Sequence, residues 1–287
     1  MALPEPEGRS AVSLVRRSAA PSADGTLVSV SQAEAGWEYV SFQAWRLRAG
    51  RVRADNTAGE EIALLVLSGE VSIHSAAGSF ERIGGRSDVF SACQHVVYLP
   101  PATPFEVRAV TDCEVARCAA RAERGVAAYQ ILPEEIGVEI RGAGSAQRSV
   151  RHVLEVDRPA ERLLVVEVIT PAGHWSSYPP HKHDRDDPPR EAYLEEIYYH
   201  RVQPRQGFAF QRVYTSDRSL DEAIVVEDGT VVLVPRGYHP VAAAPGYELY
   251  YLNVMAGPRR EWQFQDDPDH HWVAAGWRPY GQPVGDA

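Results

Sequence analysis

The sequence of 287 residues has no run of about 18 apolar residues, so nothing in it predicts a membrane-spanning helix. Its start lacks the apolar core of a secretion signal, and three cysteines are too few and odd in number for a disulfide framework. The 29 Lys and Arg against 39 Asp and Glu give a net charge of −10, which argues against nucleic acid or anionic membranes as partners. We therefore expect a soluble, cytoplasmic protein with reduced thiols.

Amphipathic helices are also scarce. The chain instead consists of short segments rich in Val, Ile, Tyr and Phe, such as IALLVLSGEVSIH, RLLVVEVITPAG and ELYYLNVMAG, separated by 21 prolines and 22 glycines. Short apolar segments with frequent turn residues are typical of an all-β sandwich or barrel. The one short helix that we expect lies near DDPDHHWVAAGW.

The two halves of the chain share a weak internal repeat. GEEIALLVLSGEVSI is followed by VVYLPPATPFEV in the first half, and LEEIYYHRV is followed by VVLVPRGYHPV in the second. The repeat predicts a duplicated β-barrel, with residues 1–145 and 146–287 as the two units and a hinge within Arg141–Leu154. Only the second half contains a His-x-His sequence, so we expect a metal there and none in the first half.

The segment WSSYPPHKHD, residues 175–184, carries the first part of a candidate metal site. In a strand, residues two apart point to the same face, so His181 and His183 should converge. The same alternation in EEIYYH favours Glu196 as a third ligand, and Glu195 replaces it only if a bulge shifts the strand by one residue. His239 follows a PRG turn and completes a mixed N/O ligand set. Such a set suits Zn, Mn, Fe or Ni, with Zn or Mn expected.

These residues carry a family resemblance. They resemble the paired metal motifs of the cupin superfamily, whose fold is a small β-barrel, at Gly173, His181, His183, Glu196, Gly229, Pro235, Gly237 and His239. The gap before the glutamate is longer than in that pattern, and the gap before the last histidine is one residue shorter. The longer strings LEEIYYHR, GFAFQRVYT and VLVPRGYHPVAAAPGYELYYLNVMAG resemble the 5-deoxy-glucuronate isomerases of bacterial inositol catabolism.

The resemblance implies a metal-dependent aldose–ketose isomerase with a small sugar acid as its partner. Isomerisation moves a hydrogen between neighbouring carbons, through an enediolate intermediate or a hydride shift, and the enediolate route needs a general base for the carbon-bound proton. Glu195 could act as the base if its strand bulges, and the candidate proton shuttles are Tyr198, His200 and Tyr214. Two other interpretations stay open: a cupin oxygenase that uses Fe(II), and a sugar-binding cupin without catalysis. The oligomeric state is also open, with a homodimer as one candidate.

An anionic substrate needs a cationic partner in the site. Arg212 in FQRVY is the preferred candidate, because its planar fork can hold a carboxylate at two points. Alternation places it on the side of Phe210 and Tyr214, so we expect all three to face the barrel interior. Lys182 is the weaker candidate, and Tyr251 could line the same barrel.

Overall fold

The structure is a computed structural model that describes residues 13–277. These residues contain 23 strands, a four-residue α-helix at Gln32–Ala35, and 3-10 helices at Pro133–Glu135, Gly144–Ala146 and His271–Gly276. The last of these replaces the helix expected near DDPDHHWVAAGW. No helix in residues 13–277 is long and apolar enough to cross a membrane.

The strands are short and follow one another closely. In the first part of the chain they are β1 (Val15–Arg17), β2 (Thr26–Val30), β3 (Val40–Leu47), β4 (Val52–Asn56), β5 (Glu60–Ser68), β6 (Glu70–Ser75), β7 (Gly78–Gly84), β8 (Val96–Leu99), β9 (Pro104–Ala109), β10 (Cys113–Arg121) and β11 (Tyr129–Ile131). In the second part they are β12 (Gly137–Arg141), β13 (Arg148–Leu154), β14 (Leu164–Thr170), β15 (Trp175–Ser176), β16 (His181–Lys182), β17 (Glu195–Gln203), β18 (Ala209–Tyr214), β19 (Asp221–Val226), β20 (Thr230–Val234), β21 (Val241–Ala243), β22 (Glu248–Ala256) and β23 (Gln265–Asp266).

The N-terminal half encloses a filled apolar core. A six-stranded sheet in the order β11-β8-β5-β10-β3-β2 faces a four-stranded sheet in the order β4-β9-β6-β7. Strand β9 shows why the sheets stack: Phe105, Val107 and Ala109 alternate with exposed residues, so one face is apolar. Those side chains pack against Trp45 and Ile62, both fully buried, in a single cluster.

The C-terminal half repeats this arrangement. Its seven-stranded sheet has the order β1-β20-β17-β22-β14-β13-β12, next to a four-stranded sheet β15-β21-β18-β19 and the pair β16-β23. Strand pairing departs from the expected units in two places. The hinge segment holds the β12–β13 hairpin, so a boundary at 145/146 would cut paired strands. Strand β1 pairs with β20 and joins the C-terminal sheet.

Two buried carboxylates connect the halves reciprocally. Glu195 accepts hydrogen bonds from the backbone amides of residues 38–40 at 2.8, 2.8 and 2.9 Å. Glu61 accepts them from the amides of residues 161–163 at 2.7, 2.6 and 2.7 Å. Each half therefore holds a segment that leads into a strand of the other half, β3 in the first and β14 in the second. Buried amides need acceptors, and a carboxylate supplies them with charge-assisted bonds.

The interface between the halves is also packed and paired. Phe42 and Tyr199 meet there with ring centroids 5.2 Å apart. Glu167, fully buried, pairs with Arg86 at 2.8 Å and with Arg151 at 3.4 Å. A core cluster with residues from both halves thus joins the two barrels and fixes the sheet that carries the candidate site.

Candidate metal centre

The candidate site lies on the inner face of the seven-stranded sheet. Alternation along β17 places Glu196 and Tyr198 on this face, and β22 contributes Tyr251 and Asn253. The whole pocket is lined by side chains from these strands and from the covering segments: Arg141, Arg148, Val150, Val166, Val168, Ser177, Tyr178, Pro179, His181, His183, Glu196, Tyr198, Tyr251, Asn253, Trp262, Phe264, Asp266 and Trp277, together with Gly142.

Three of the four expected ligands come together here. Ligand atoms of His183, Glu196 and His239 all lie within 4.8 Å of one another, and all three residues are buried. Glu196 is on β17, whose pairing with its two neighbours shows no register shift, so the bulge that would have exchanged it for Glu195 is not formed. His239 follows a left-handed Gly237 (φ +85°), where a Cβ would lie 2.3 Å from the Tyr214 carbonyl oxygen. The PRG turn therefore requires this glycine.

The hydrogen bonds of the histidines direct their free nitrogens to a common point. Nδ1 of His183 lies 3.0 Å from the Leu194 carbonyl oxygen, and Nδ1 of His239 lies 2.9 Å from that of Gly237. A ring that donates from Nδ1 to a carbonyl keeps a lone pair on Nε2. Those Nε2 atoms lie 3.0 and 3.2 Å from one oxygen of Glu196, and Nε2 of His239 has no hydrogen-bond partner within residues 13–277. Acceptors that face each other in a buried site are stabilised by a shared cation, so this donor set fits a divalent metal.

The protonation of His239 agrees with this, whereas that of His183 depends on Glu196. Burial lowers the pKa of His239 to about 3, so its ring is neutral near pH 7. Burial alone would lower the pKa of His183 as well, but the hydrogen bond and charge of Glu196 outweigh it and raise that pKa. A neutral imidazole is the form that binds a metal, and the carboxylate beside it compensates the charge of a cation.

His181, the fourth expected ligand, stands beside the group of three. Its ring centroid is 5.0 Å from that of His239, and its Nδ1 is 3.2 Å from the Pro179 carbonyl oxygen. Burial, then the neighbouring His183, lower its pKa to about 3. It lines the same pocket but lies outside the 4.8 Å group, so its role as a ligand remains a prediction.

Asn253 and Tyr198 flank the carboxylate ligand. The Asn253 side-chain amide donates to Glu196, which fixes the second oxygen of that carboxylate. The Tyr198 hydroxyl is 3.1 Å from Ser177 Oγ, and burial raises the pKa of Tyr198 well above its usual range. Burial also raises the pKa of Tyr251 to about 12. Both phenols therefore stay protonated near neutral pH and can donate hydrogen bonds into the pocket.

Three of the proposed proton-transfer residues lie away from the pocket. Glu195 points to the other face of β17, where it holds the 38–40 segment, so its assignment as base is wrong in this geometry. His200 is fully buried, with Nε2 3.0 Å from Gln211 Oε1. The Tyr214 hydroxyl donates to Asp267 at 2.7 Å outside the pocket lining.

The two proposed cationic partners also lie elsewhere. Arg212 points outward and makes a two-point ion pair with Asp221, at 2.8 Å for each bond. Phe210 is exposed with it, whereas the inward residues of β18 include Gln211, so the expected orientation is wrong. Lys182 pairs with Asp184 at 2.6 Å and with Glu191 at 2.8 Å. Both charges are neutralised away from the metal group.

Several pocket residues had not been expected from the sequence. Asn253, two positions after Tyr251, is the polar residue of a strand that is otherwise apolar after Glu248, a signal that strand alternation could have used. Arg148 opens β13, in the segment interpreted as a hinge, and Asp266 lies on β23 opposite His181. No local sequence pattern indicated that Arg148 or Asp266 would line the pocket.

Comparison with known proteins places this geometry in a family. Residues 14–273 match the KduI/IolB family. A 5-deoxy-glucuronate isomerase of Geobacillus thermodenitrificans is 52% identical over 254 residues, 88% of this chain and 93% of that protein. A Bacillus subtilis protein of the same name is 46% identical over 237 residues, 82% of this chain and 88% of that protein.

The solved structures agree on the fold. An IolB-like protein of Salmonella typhimurium has a TM-score of 0.88 at 46% identity, covering 91% of this chain and 99% of that one. An oxalate decarboxylase of Lactobacillus farciminis has a TM-score of 0.63 at 13% identity, covering 93% and 92%, and shows a shared fold alone. The prediction of an all-β, duplicated cupin fold is confirmed. The chain belongs to the KduI/IolB family.

Proposed function

We propose that this protein is a 5-deoxy-glucuronate isomerase, which converts 5-deoxy-D-glucuronate into 5-dehydro-2-deoxy-D-gluconate. The observation that carries the proposal is the buried group of His183, Glu196 and His239, of which His183 and Glu196 line an open pocket, in a chain that aligns with isomerases over most of their length. Its three cysteines form no disulfide, which supports a cytoplasmic site of action for such an enzyme.

The proposed metal ligands are His181, His183, Glu196 and His239, with Zn or Mn as the ion. Three imidazoles and one carboxylate leave coordination positions for substrate oxygens and suit either ion. When bound, the metal supplies Lewis acidity that polarises the substrate carbonyl. Hydrogen bonds to Leu194 and Asn253 hold two of the ligands in place before the substrate arrives.

The reaction is a redistribution of hydrogen within one molecule. The hydrogen on the hydroxyl-bearing carbon leaves as a proton and returns to the former aldehyde carbon, and a hydroxyl proton moves between the two oxygens. Among the described residues that line the pocket, Asp266 is the carboxylate outside the metal group, and we assign to it the role of accepting the carbon-bound proton and returning it. The protonated hydroxyl of Tyr198 can stabilise negative charge on the oxygens.

The walls of the pocket suit an intermediate that must be shielded from water. Val150, Val166 and Val168 form an apolar strip across the floor, and Trp262 and Phe264 flank the pocket. Excluding water strengthens every polar interaction with the substrate.

Proton NMR of 5-deoxy-D-glucuronate with the metal-loaded protein tests this function. We expect loss of the aldehyde-derived signals and appearance of a hydroxymethyl group without added oxygen. In D2O, proton transfer through a side chain predicts deuterium in the product. Turnover that requires oxygen would point to an oxygenase, and binding without turnover would point to a sugar-binding protein; either result would overturn the proposal.

A further inference from the structure

Arg148, which lines the pocket, differs from the other buried arginines in residues 13–277 because it has no carboxylate partner. Four arginines there are buried: Arg86, Arg117, Arg148 and Arg151. Arg86 and Arg151 pair with Glu167, and Arg117 pairs with Asp55 and Glu60. Within the described residues, Arg148 has no carboxylate within 4.0 Å. Burying a guanidinium without an anion is energetically unfavourable. An anionic ligand could therefore supply the partner that the described residues do not provide.

Arg148 is held with its charge directed towards the pocket. It opens β13, and Val150, two residues further on, lines the pocket on the same face. Nη1 donates to the Ala146 carbonyl oxygen at 3.0 Å, which anchors one corner of the fork. Gly142 (φ +81°) makes room for this arrangement, since a Cβ there would lie 2.7 Å from that Nη1. The remaining donors of the guanidinium are available to a ligand.

A second cation adjoins the first. Arg141 is the backbone neighbour of Arg148 in the β12–β13 hairpin, and it also lines the pocket. Its charge is compensated by Glu139 at 2.7 Å, and its guanidinium lies 5.5 Å from the centre of the Trp262 ring. This end of the pocket therefore carries about one uncompensated positive charge, in a protein of net charge −10.

We propose that Arg148 is the carboxylate-binding residue of the active site and selects sugar acids over neutral sugars. Arg148 and Glu196 lie on β13 and β17, three strands apart in one sheet, or about 14 Å between strand axes before curvature. A ligand that contacts both the metal and the guanidinium must extend across the valine strip. A six-carbon chain with a carbonyl at one end and a carboxylate at the other has that form. The inference rests on the proposed function for its substrate.

Arg212 provides the matched control. It is an arginine in the same half of the chain, but it is exposed, paired with Asp221 and outside the pocket lining. The same substitution can therefore be made at both positions. Arg148→Met and Arg212→Met remove one positive charge each and keep most of the side-chain volume.

The experiment measures calorimetric Kd values of the metal-loaded, full-length protein for D-gluconate and D-glucitol. These probes differ only in a carboxylate at one end. We expect the wild type to prefer gluconate, and Arg148→Met to raise the gluconate Kd by about 30-fold or more with little change for glucitol. Arg212→Met should change neither Kd, and the metal content of both variants should equal that of the wild type.

Three results would overturn the inference. The first is a wild type that binds gluconate no more tightly than glucitol. The second is an Arg148→Met protein with an unchanged gluconate Kd. The third is an equal rise of the Kd values for gluconate and glucitol in a folded, metal-loaded Arg148→Met protein. If Arg148→Met does not fold, Arg148→Lys decides: it keeps the charge without the fork, and an unchanged gluconate Kd would contradict the proposal.

The outcomes also separate this inference from the proposed function. A wild type that does not isomerise 5-deoxy-D-glucuronate but shows the Arg148-dependent preference would overturn the function and keep the binding residue. A wild type that isomerises it, with KM unchanged in Arg148→Met, would keep the function and overturn the binding residue.

Discussion

Exchanging Glu195 for glutamine distinguishes a structural carboxylate from a catalytic base. The amide oxygen can still accept from two of the backbone amides of residues 38–40, but the amide nitrogen must face the third. One charge-assisted bond is lost and two are weakened, so we expect the free energy of unfolding to fall by about 2–4 kcal/mol. For a domain of this size, that lowers Tm by roughly 5–15 °C.

Thermal unfolding and steady-state kinetics together form the assay. At a temperature where the variant is folded, its kcat should remain within about 3-fold of the wild type, because Glu195 does not line the pocket. Glu61→Gln should lower Tm by a similar amount, since Glu61 makes the reciprocal contact. Exposed Glu222 is the control, and Glu222→Gln should leave Tm unchanged. An unchanged Tm with a 100-fold lower kcat in Glu195→Gln would refute this reasoning and restore Glu195 as the base.

The other predictions concern the metal and its surroundings. His183→Ala and His239→Ala should each abolish bound metal and activity, as measured by elemental analysis and NMR, and full occupancy in His181→Ala/His183→Ala would show that the ligand assignment is wrong. Removing the metal with a chelator should abolish turnover, and adding back Zn or Mn should restore it; activity in metal-free protein would contradict the proposed chemistry. Asn253→Ala should weaken metal affinity about 10- to 100-fold by freeing Glu196, whereas an unchanged affinity would mean that the carboxylate is fixed without it.

Strand alternation predicted the face of β17 on which Glu196 lies, because alternation depends on local geometry. Glu196 was preferred to Glu195 on parity alone, and the regular register of β17 keeps that parity. The PRG turn required a left-handed residue, and Gly237 supplies it just before His239. Ligands that lie within a few residues of such local features can be located from a sequence.

Alternation failed where it had to decide which face is buried. In AFQRVY, Phe210 and Arg212 share one face, and Ala209, Gln211 and Val213 share the other. The aromatic residues suggested that the first face was inside, but the aliphatic neighbours mark the second as the core side. The positions of its sheet partners, β19 and β21, decide which face of β18 is buried, and these positions cannot be read from the sequence of β18 alone.

Arg148 illustrates a second limit. Glycine, serine and arginine around it indicated a linker, but the segment forms the β12–β13 hairpin, whose left-handed Gly142 accommodates the guanidinium. The absence of a carboxylate near Arg148 is a property of the packed molecule and cannot be read from neighbouring residues. For the same reason the pairing of β1 with β20 was not predicted, since it joins segments more than two hundred residues apart.

Register also explains why the expected metal site falls in the second barrel. In the first barrel Ile62 pairs with Leu99, and in the second Glu196 pairs with Val234, directly before the corresponding turns. This pairing places Glu61 at the position that corresponds to Glu195, which accounts for their reciprocal contacts. The repeated EEI sequence alone would instead align Glu61 with Glu196, one position further along. Ile62 therefore occupies the place that corresponds to Glu196, the proposed carboxylate ligand.

The turns that follow complete the comparison. Ala102 (φ 56°) and Gly237 (φ 85°) are both left-handed, three residues after Leu99 and Val234 respectively. Two residues later the first barrel has Pro104 and the second has His239. The first barrel thus has isoleucine and proline where the second has glutamate and histidine, and its interior is filled by Trp45, Ile62 and their neighbours. The same backbone frame supports a solid core in one half and a polar pocket in the other, because packing constrains the strands while the chemistry depends on a few inward side chains.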